Sequence, residues 1–267
     1  MPSDREPFDL RSALPFLEGK GWRDDLRRAL DGLLGLRQVR SLFHRGAVAQ
    51  GEPFASAVAA FGLEIRAEGF GAIPAEGPVV VMANHPFGGA DALTLGALCR
   101  ARRPDTLLMA NEMAAGLPVL GDFMLPLSIL GGEGAAGKNS ASLRRALAHL
   151  RGGGLLAVFP SGEVAHWNDS GVEESPWSPH IAALAGRCGA QVVLARFFGK
   201  TPPWFHFAGG IHPLVRTALL PRVLLAMRGQ TVICRAEPAG LDGSGPEDAA
   251  AILRKRVMAM DVQAMTS

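Results

Sequence analysis

Val79-Val80-Val81-Met82-Ala83-Asn84-His85-Pro86-Phe87-Gly88-Gly89-Ala90-Asp91 is the stretch on which the fold turns. Five apolar residues in a row read as a strand buried on both faces. The run stops at a polar pair, a proline and two glycines, which is the composition of a tight loop. Asp91 opens a second apolar run, Ala92-Leu93-Thr94-Leu95-Gly96-Ala97-Leu98. Asp is a good N-cap, so the expected order is strand, loop, then a helix beginning at Asp91. His85 falls at the carboxyl end of the strand, where open α/β sheets place their ligands. Asp91 lies across the loop, within reach of the imidazole. A carboxylate on one ring nitrogen fixes the tautomer and leaves the other nitrogen free as a base. Taken alone, such a pair is more often an ordinary polar contact and a helix cap than a catalytic site.

A second stretch changes the balance. Leu155-Leu156-Ala157-Val158-Phe159-Pro160-Ser161-Gly162-Glu163 repeats the pattern of apolar strand, Pro/Gly turn and carboxylate. Two such strand ends can face one cleft. Together the two stretches resemble the lysophospholipid acyltransferase family. Its hallmarks are an Asn-His block with a following Asp and a later Phe-Pro-x-Gly block with a Glu. The resemblance is nearest to the bacterial branch called hemolysin-like or ornithine-lipid acyltransferases. There the blocks read Asn-His-Pro-x-Gly-Gly-x-Asp and Phe-Pro-x-Gly-Glu, matched here by Asn84 to Asp91 and Phe159 to Glu163. The resemblance runs from about Gly69 to about Gly240.

This resemblance implies an α/β fold. Residues 63–267 would form a single acyltransferase domain with a mixed, mostly parallel central sheet flanked by helices. Residues 1–62 would precede it as an N-terminal amphipathic helical segment. It implies His85 as general base and Asp91 as the group that orients it. Asn84, Gly88 and Gly89 would bind substrate, as would Phe159, Pro160, Ser161, Gly162 and Glu163, with Glu163 positioning the acceptor headgroup. Backbone amides around Phe87, Gly88 and Gly89 would cradle the oxyanion, because glycine lets a backbone approach closely. The acyl donor would be an acyl carrier protein or CoA thioester, with no bound cofactor and no metal. The acceptor would be a lyso-lipid or amino-lipid in bacterial membrane lipid synthesis. The enzyme would work as a peripheral protein on the cytoplasmic face of the inner membrane, against an anionic surface.

Three departures bear on the acceptor. Phosphatidate-forming members usually place four residues between His and Asp, whereas five stand between His85 and Asp91. Those members usually read Phe-Pro-Glu-Gly, and here Ser161 takes the Glu position while Glu163 lies two later. Their acceptor-phosphate Arg has no clear match around Leu125 to Leu130. A lyso-ornithine lipid or another amine therefore fits at least as well as lysophosphatidate.

Composition narrows the class. The 267 residues are 48% hydrophobic, enough for a sizeable core. A formal net charge of +2, no Tyr and 13 Phe argue against a nucleic-acid binder. Cys99, Cys188 and Cys234 are far apart and show no metal-ligand spacing, which suits a reducing compartment. The start, Met1-Pro2-Ser3-Asp4-Arg5-Glu6, lacks a signal peptide's apolar core. No window offers about 18 uninterrupted apolar residues, so membrane contact is expected to be peripheral.

Along the chain, residues 1–20 read as an irregular lead-in. Residues 22–43 space Leu26, Leu30, Leu33, Leu36, Val39 and Leu42 as a helix broken near Gly32 or Gly35. Arg23, Arg27, Arg28, Arg37 and Arg40 punctuate it, so its apolar side either packs on the domain or lies on an anionic bilayer. Further elements are expected as a short helix at 54–61, an edge strand at 63–68, a strand at 106–110 and a strand or loop floor at 123–127. A helix at 140–151, strands at 191–198, 204–207 and 231–235, and a closing helix at 247–264 complete the reading. The helix expected over 214–227 should end or kink at Pro221. Gly132 to Lys138 approaches a phosphate loop, but Asn139 stands where Ser or Thr should, so a mobile loop is the better reading. Residues 175–236 contain no acid and seven Lys or Arg, a candidate face for anionic partners. Two rivals to acyl transfer remain at this point: hydrolysis with Ser161 as nucleophile, although Gly-x-Ser-x-Gly is absent, and a non-enzymatic lipid-binding protein.

Overall fold

In the computed structural model Val79–Ala83 is a strand with every residue buried. Val79, Val81 and Ala83 join one core cluster, and Val80 and Met82 join another. The strand therefore lies between two layers of helices, which is why no polar residue interrupts it. The structure describes residues 19–48, 51–112, 117, 119–128, 135–168, 171–202, 204–205, 213–241, 243 and 245–261.

The chain opens with α1 (Trp22–Leu33), α2 (Leu36–Val48) and α3 (Pro53–Phe61). β1 (Glu64–Glu68), β2 (Val79–Ala83), α4 (Gly89–Arg102), β3 (Leu107–Asn111) and β4 (Met124–Leu127) follow. Next come α5 (Ala135–Arg151), β5 (Leu155–Val158), the hairpin of β6 (His166–Asn168) and β7 (Gly171–Glu173), and α6 (Pro179–Arg187). β8 (Gln191–Phe198), α7 (Pro213–Ala226), β9 (Thr231–Ala239) and α8 (Pro246–Ala259) close the fold. The main sheet runs β1-β9-β8-β2-β5-β3-β4. Every pairing in it is parallel except β8 with β9. This is the mixed, mostly parallel sheet expected of the α/β class.

One face of the sheet packs on α2, α3 and α4 through Leu42, Phe54, Phe61, Leu93 and Leu95. The other face packs on α5, α6 and α8 through Leu150, Ile181, Ala185 and Leu253. α1 and α2 are separated at Leu34 and Gly35, near the expected break. Gly35 has φ 71, and a Cβ there would lie 2.4 Å from Leu225 Cδ1, so the turn needs glycine. Val39, Leu42 and Phe43 are buried in the main core. The apolar side of α2 thus packs on the domain, whereas Trp22 and Leu33 of α1 are exposed.

Several elements differ from the sequence reading. β9 runs four residues further than expected, because its pairing with β8 extends to Ala239. α7 continues through Pro221, whose neighbours Val223 and Leu224 are locked in the interior; packing outweighs the lost amide hydrogen bond. Trp204 and Phe205 are helical, not extended, with Phe205 fully buried. The β6–β7 hairpin was not anticipated. The lead-in, the glycine loop up to Gly134 and the end of the expected 204–207 strand lie outside the described residues.

Candidate active site

β2 and β5 are neighbours in register, Met82 opposite Val158, so their carboxyl ends open side by side. His85 follows one end and Phe159 the other. The Phe159 ring stacks on the imidazole with centroids 3.9 Å apart and planes 21° from parallel. His85 Nδ1 lies 3.0 Å from Asp91 Oδ2, and the imidazole side chain keeps 16% of its exposure. Among the described residues Nε2 has no hydrogen-bond partner.

Asp91 is not the N-cap. α4 begins two residues earlier, at Gly89, and Asp91 lies in its first turn. From there Oδ2 also accepts the amides of Phe87 at 2.9 Å and Gly88 at 3.1 Å. A carboxylate at this helical position reaches back to amides that have no partner within the helix. The reach is possible because Gly88 adopts φ 76, with Leu220 and Val164 packed where a Cβ would point. Asp91 is fully buried, and that burial pushes its carboxyl above the usual carboxylate range. The imidazole and the two amides pull the other way.

The chain that follows the second stretch holds the His85 backbone at both polar groups. The His85 carbonyl accepts the Ala165 amide at 2.9 Å, and the His85 amide donates to Glu174 Oε2 at 3.1 Å. Glu174 Oε1 accepts the Trp177 indole N–H at 3.2 Å. Burial raises the Glu174 carboxyl above its ordinary value, and the His85 amide, the Ser161 hydroxyl, the imidazole and Trp177 oppose that rise. Glu174 escaped the sequence reading because Glu173-Glu174-Ser175 looks like a solvated loop. The available signal was Trp177, a bulky donor three residues on in an otherwise polar stretch.

The remaining expected site residues divide between scaffold and cleft. Asn84 is buried and both ends of its amide are engaged by Phe197: Nδ2 donates to the carbonyl at 2.9 Å and Oδ1 accepts the amide at 2.7 Å. It ties the end of β2 to β8. The Phe87 and Gly88 amides expected for an oxyanion are bound to Asp91. Gly89 lets Leu224 approach, to 3.0 Å from where a Cβ would stand. The Pro160 carbonyl accepts the Ser178 amide at 2.9 Å. Gly162, at φ 71, turns the chain and donates its amide to the Phe159 carbonyl at 3.0 Å. The Ser161 hydroxyl donates to the Glu163 carbonyl at 3.0 Å. Glu163 Oε1 accepts the Ser175 hydroxyl at 2.5 Å. Ser161, Gly162 and Glu163 are half-buried at the rim.

No cluster of three metal-ligating side chains occurs among the described residues. Burial pushes the Cys234 thiol, near Asp91, up to about 12, so it stays protonated at neutral pH. A shallow cavity of about 510 Å³ opens at the opposite end of β8, beside Gln191, Gly186 and Pro238, away from His85.

A base oriented by a carboxylate at the carboxyl ends of two parallel strands suits proton transfer to or from a bound acceptor. Residues 64–194, from the start of β1 to the middle of β8, match the acyltransferase family. The chain carries an acyltransferase domain. Both strand ends that build the site lie inside the matched residues. The acyltransferase fold is similar to the crystal structure of the 1-acyl-sn-glycerophosphate (LPA) acyltransferase PlsC from Thermotoga maritima. The TM-score is 0.50 and the identity 16%, over 84% of this chain and 80% of that one. That likeness is one of fold. No curated protein matches this acyltransferase significantly.

Proposed function

We propose that this acyltransferase moves a fatty acyl chain from an acyl carrier protein or CoA thioester to a lyso-lipid or amino-lipid, with His85 as general base. The observation that carries the reading is the His85 Nδ1 to Asp91 Oδ2 contact at 3.0 Å, with Nε2 unengaged among the described residues. The acceptor O–H or N–H bond breaks and its proton passes to Nε2. Its lone pair forms the new bond to the thioester carbonyl carbon. The C–S bond then breaks, and the imidazolium returns the proton to the leaving thiolate. No enzyme-bound acyl intermediate is needed.

Hydrolysis through Ser161 is the weaker reading. Its hydroxyl donates to the Glu163 carbonyl and lies against Glu174, and among the described residues it has no hydrogen bond to His85. Glu163, half-exposed at the rim, is suited to the acceptor headgroup. With the Phe87 and Gly88 amides on Asp91, the oxyanion falls to the Gly89 amide and the positive end of α4. Purified protein is incubated with radiolabelled acyl carrier thioester, with and without lyso-ornithine lipid or lysophosphatidate. Acceptor-dependent acylated product is expected. Free fatty acid independent of acceptor would make it a hydrolase, and no turnover of either kind would leave a lipid binder.

A further inference from the structure

Glu174 is a carboxylate that the acyl-transfer steps above do not use. It is 2% exposed. A carboxylate removed from water persists only where donors or a cation compensate it. Among the described residues no Lys or Arg pairs with its side chain. Its compensation comes from the His85 amide and the Trp177 indole. The segment itself is fastened from α8: Arg254 Nε donates to the Glu174 carbonyl at 3.1 Å, and its guanidinium pairs with Glu173 at 2.9 Å. A second carboxylate is thus delivered to His85 from a different element and held there. Asp91 holds the ring, whereas Glu174 holds the backbone.

We propose that Glu174 is a positioning residue for His85, fixing its backbone and supplying a second negative charge that favours the imidazolium formed when the acceptor proton is taken. This rests on the reading of His85 as the base. Part of the Glu174 interaction strengthens only when the imidazolium forms, so it belongs to turnover more than to thioester binding.

Steady-state kinetics on the full chain test it, with acyl carrier thioester and lyso-lipid over roughly pH 5–9. The variants are Glu174→Gln, Trp177→Phe and His85→Ala. Glu174→Gln retains an acceptor for the His85 amide and removes the charge. It is expected to lower kcat about 10- to 100-fold, the scale of a hydrogen bond to a charged group, with little change in thioester KM. The acidic limb of its kcat/KM profile moves to lower pH, because an imidazolium without that anion is less favoured. Folded Glu174→Gln with wild-type kcat and an unmoved limb overturns the proposal, even if its melting temperature falls. Trp177→Phe loosens the carboxylate while keeping an aromatic ring, and is expected to lower kcat severalfold. If Glu174→Gln does not fold, wild-type kcat in Trp177→Phe overturns the proposal instead. His85→Ala separates the two ideas. Its retention of turnover removes the base reading itself, whereas its inactivity beside a normal Glu174→Gln removes only the role of Glu174.

Discussion

Asp91 brings the sharpest chemistry at the residue scale. Its carboxyl is raised by burial, and a raised acid contributes stability that is complete below its unfolded pKa, about 3.9. That contribution is lost as pH rises through the folded value. Asn at 91 does not titrate. Asp91→Asn is therefore expected to gain unfolding free energy relative to wild type as pH rises above about 4. Denaturant midpoints from pH 4 to pH 7 measure this, and a pH-independent difference would contradict a desolvated Asp91. The same variant should lose about 10²–10⁴-fold in turnover, since an amide can hold the wrong tautomer. Glu163→Ala should raise the acceptor KM and leave the thioester KM near wild type, as its rim position suggests. An effect confined to the donor would place Glu163 on the other side of the cleft.

Packing at the scale of elements decides how freely the motif helix can be altered. Gly96 lies in the middle of α4, and a Cβ there would stand 2.2 Å from the Phe54 ring of α3. Phe54 is 1% exposed, so the ring has little room to move. Gly96→Ala should destabilise the protein by about 1–3 kcal/mol despite alanine's better helix propensity. Thermal unfolding checks it; a stabilised variant would mean that α3 yields. Which elements were legible follows from the same packing. β2 and β5 announced themselves as unbroken apolar runs because both faces are buried, and β8 as an apolar run interrupted by Arg196. The His85–Asp91 pair was legible because it is local, closed within six residues. The tie made by Asn84 was not legible because its partner, Phe197, is 113 residues away. Its hydrogen-bonding atoms had to be placed by tertiary structure before a polar residue in a motif could be told from a strand tie. Glu174 was invisible for the same reason, since only the fold brings it under His85. The start of α4 was misjudged because an acid in the first turn reaches back to the same amides that an N-cap residue would satisfy.

Across the whole molecule, the remaining question is how a protein with no helix long and apolar enough to cross a membrane, among the described residues, would reach the lipid acceptor proposed for it. α1 exposes Trp22, Leu33 and Leu26 at 65%, 64% and 37%. The basic residues of α1 and α2 are less available than the sequence suggested. Arg27 pairs with Asp24 at 2.6 Å, Arg28 with Asp24 at 2.7 Å and Arg40 with Asp31 at 3.3 Å. In the acid-free stretch, Arg196, Arg222 and Arg235 donate to carbonyls of Met260, Leu33 and Asp261. Apolar insertion should therefore outweigh charge in any surface binding. Vesicle sedimentation is expected to show binding that high salt weakens only in part. Deleting residues 1–34 should lower it more than it lowers activity on detergent-dispersed substrate. That end point spares Leu36, Val39, Leu42 and Phe43, which are buried. Undiminished vesicle binding by the truncated protein would assign docking elsewhere.

The central claim is that His85 takes the acceptor's proton. Its most direct test is the initial rate of acceptor-dependent acyl transfer by folded His85→Ala beside wild type, with saturating radiolabelled acyl carrier thioester and lyso-lipid. The account predicts a fall of about 10²–10⁴-fold with an unchanged circular dichroism spectrum. Turnover within a few-fold of wild type in that folded variant would contradict it.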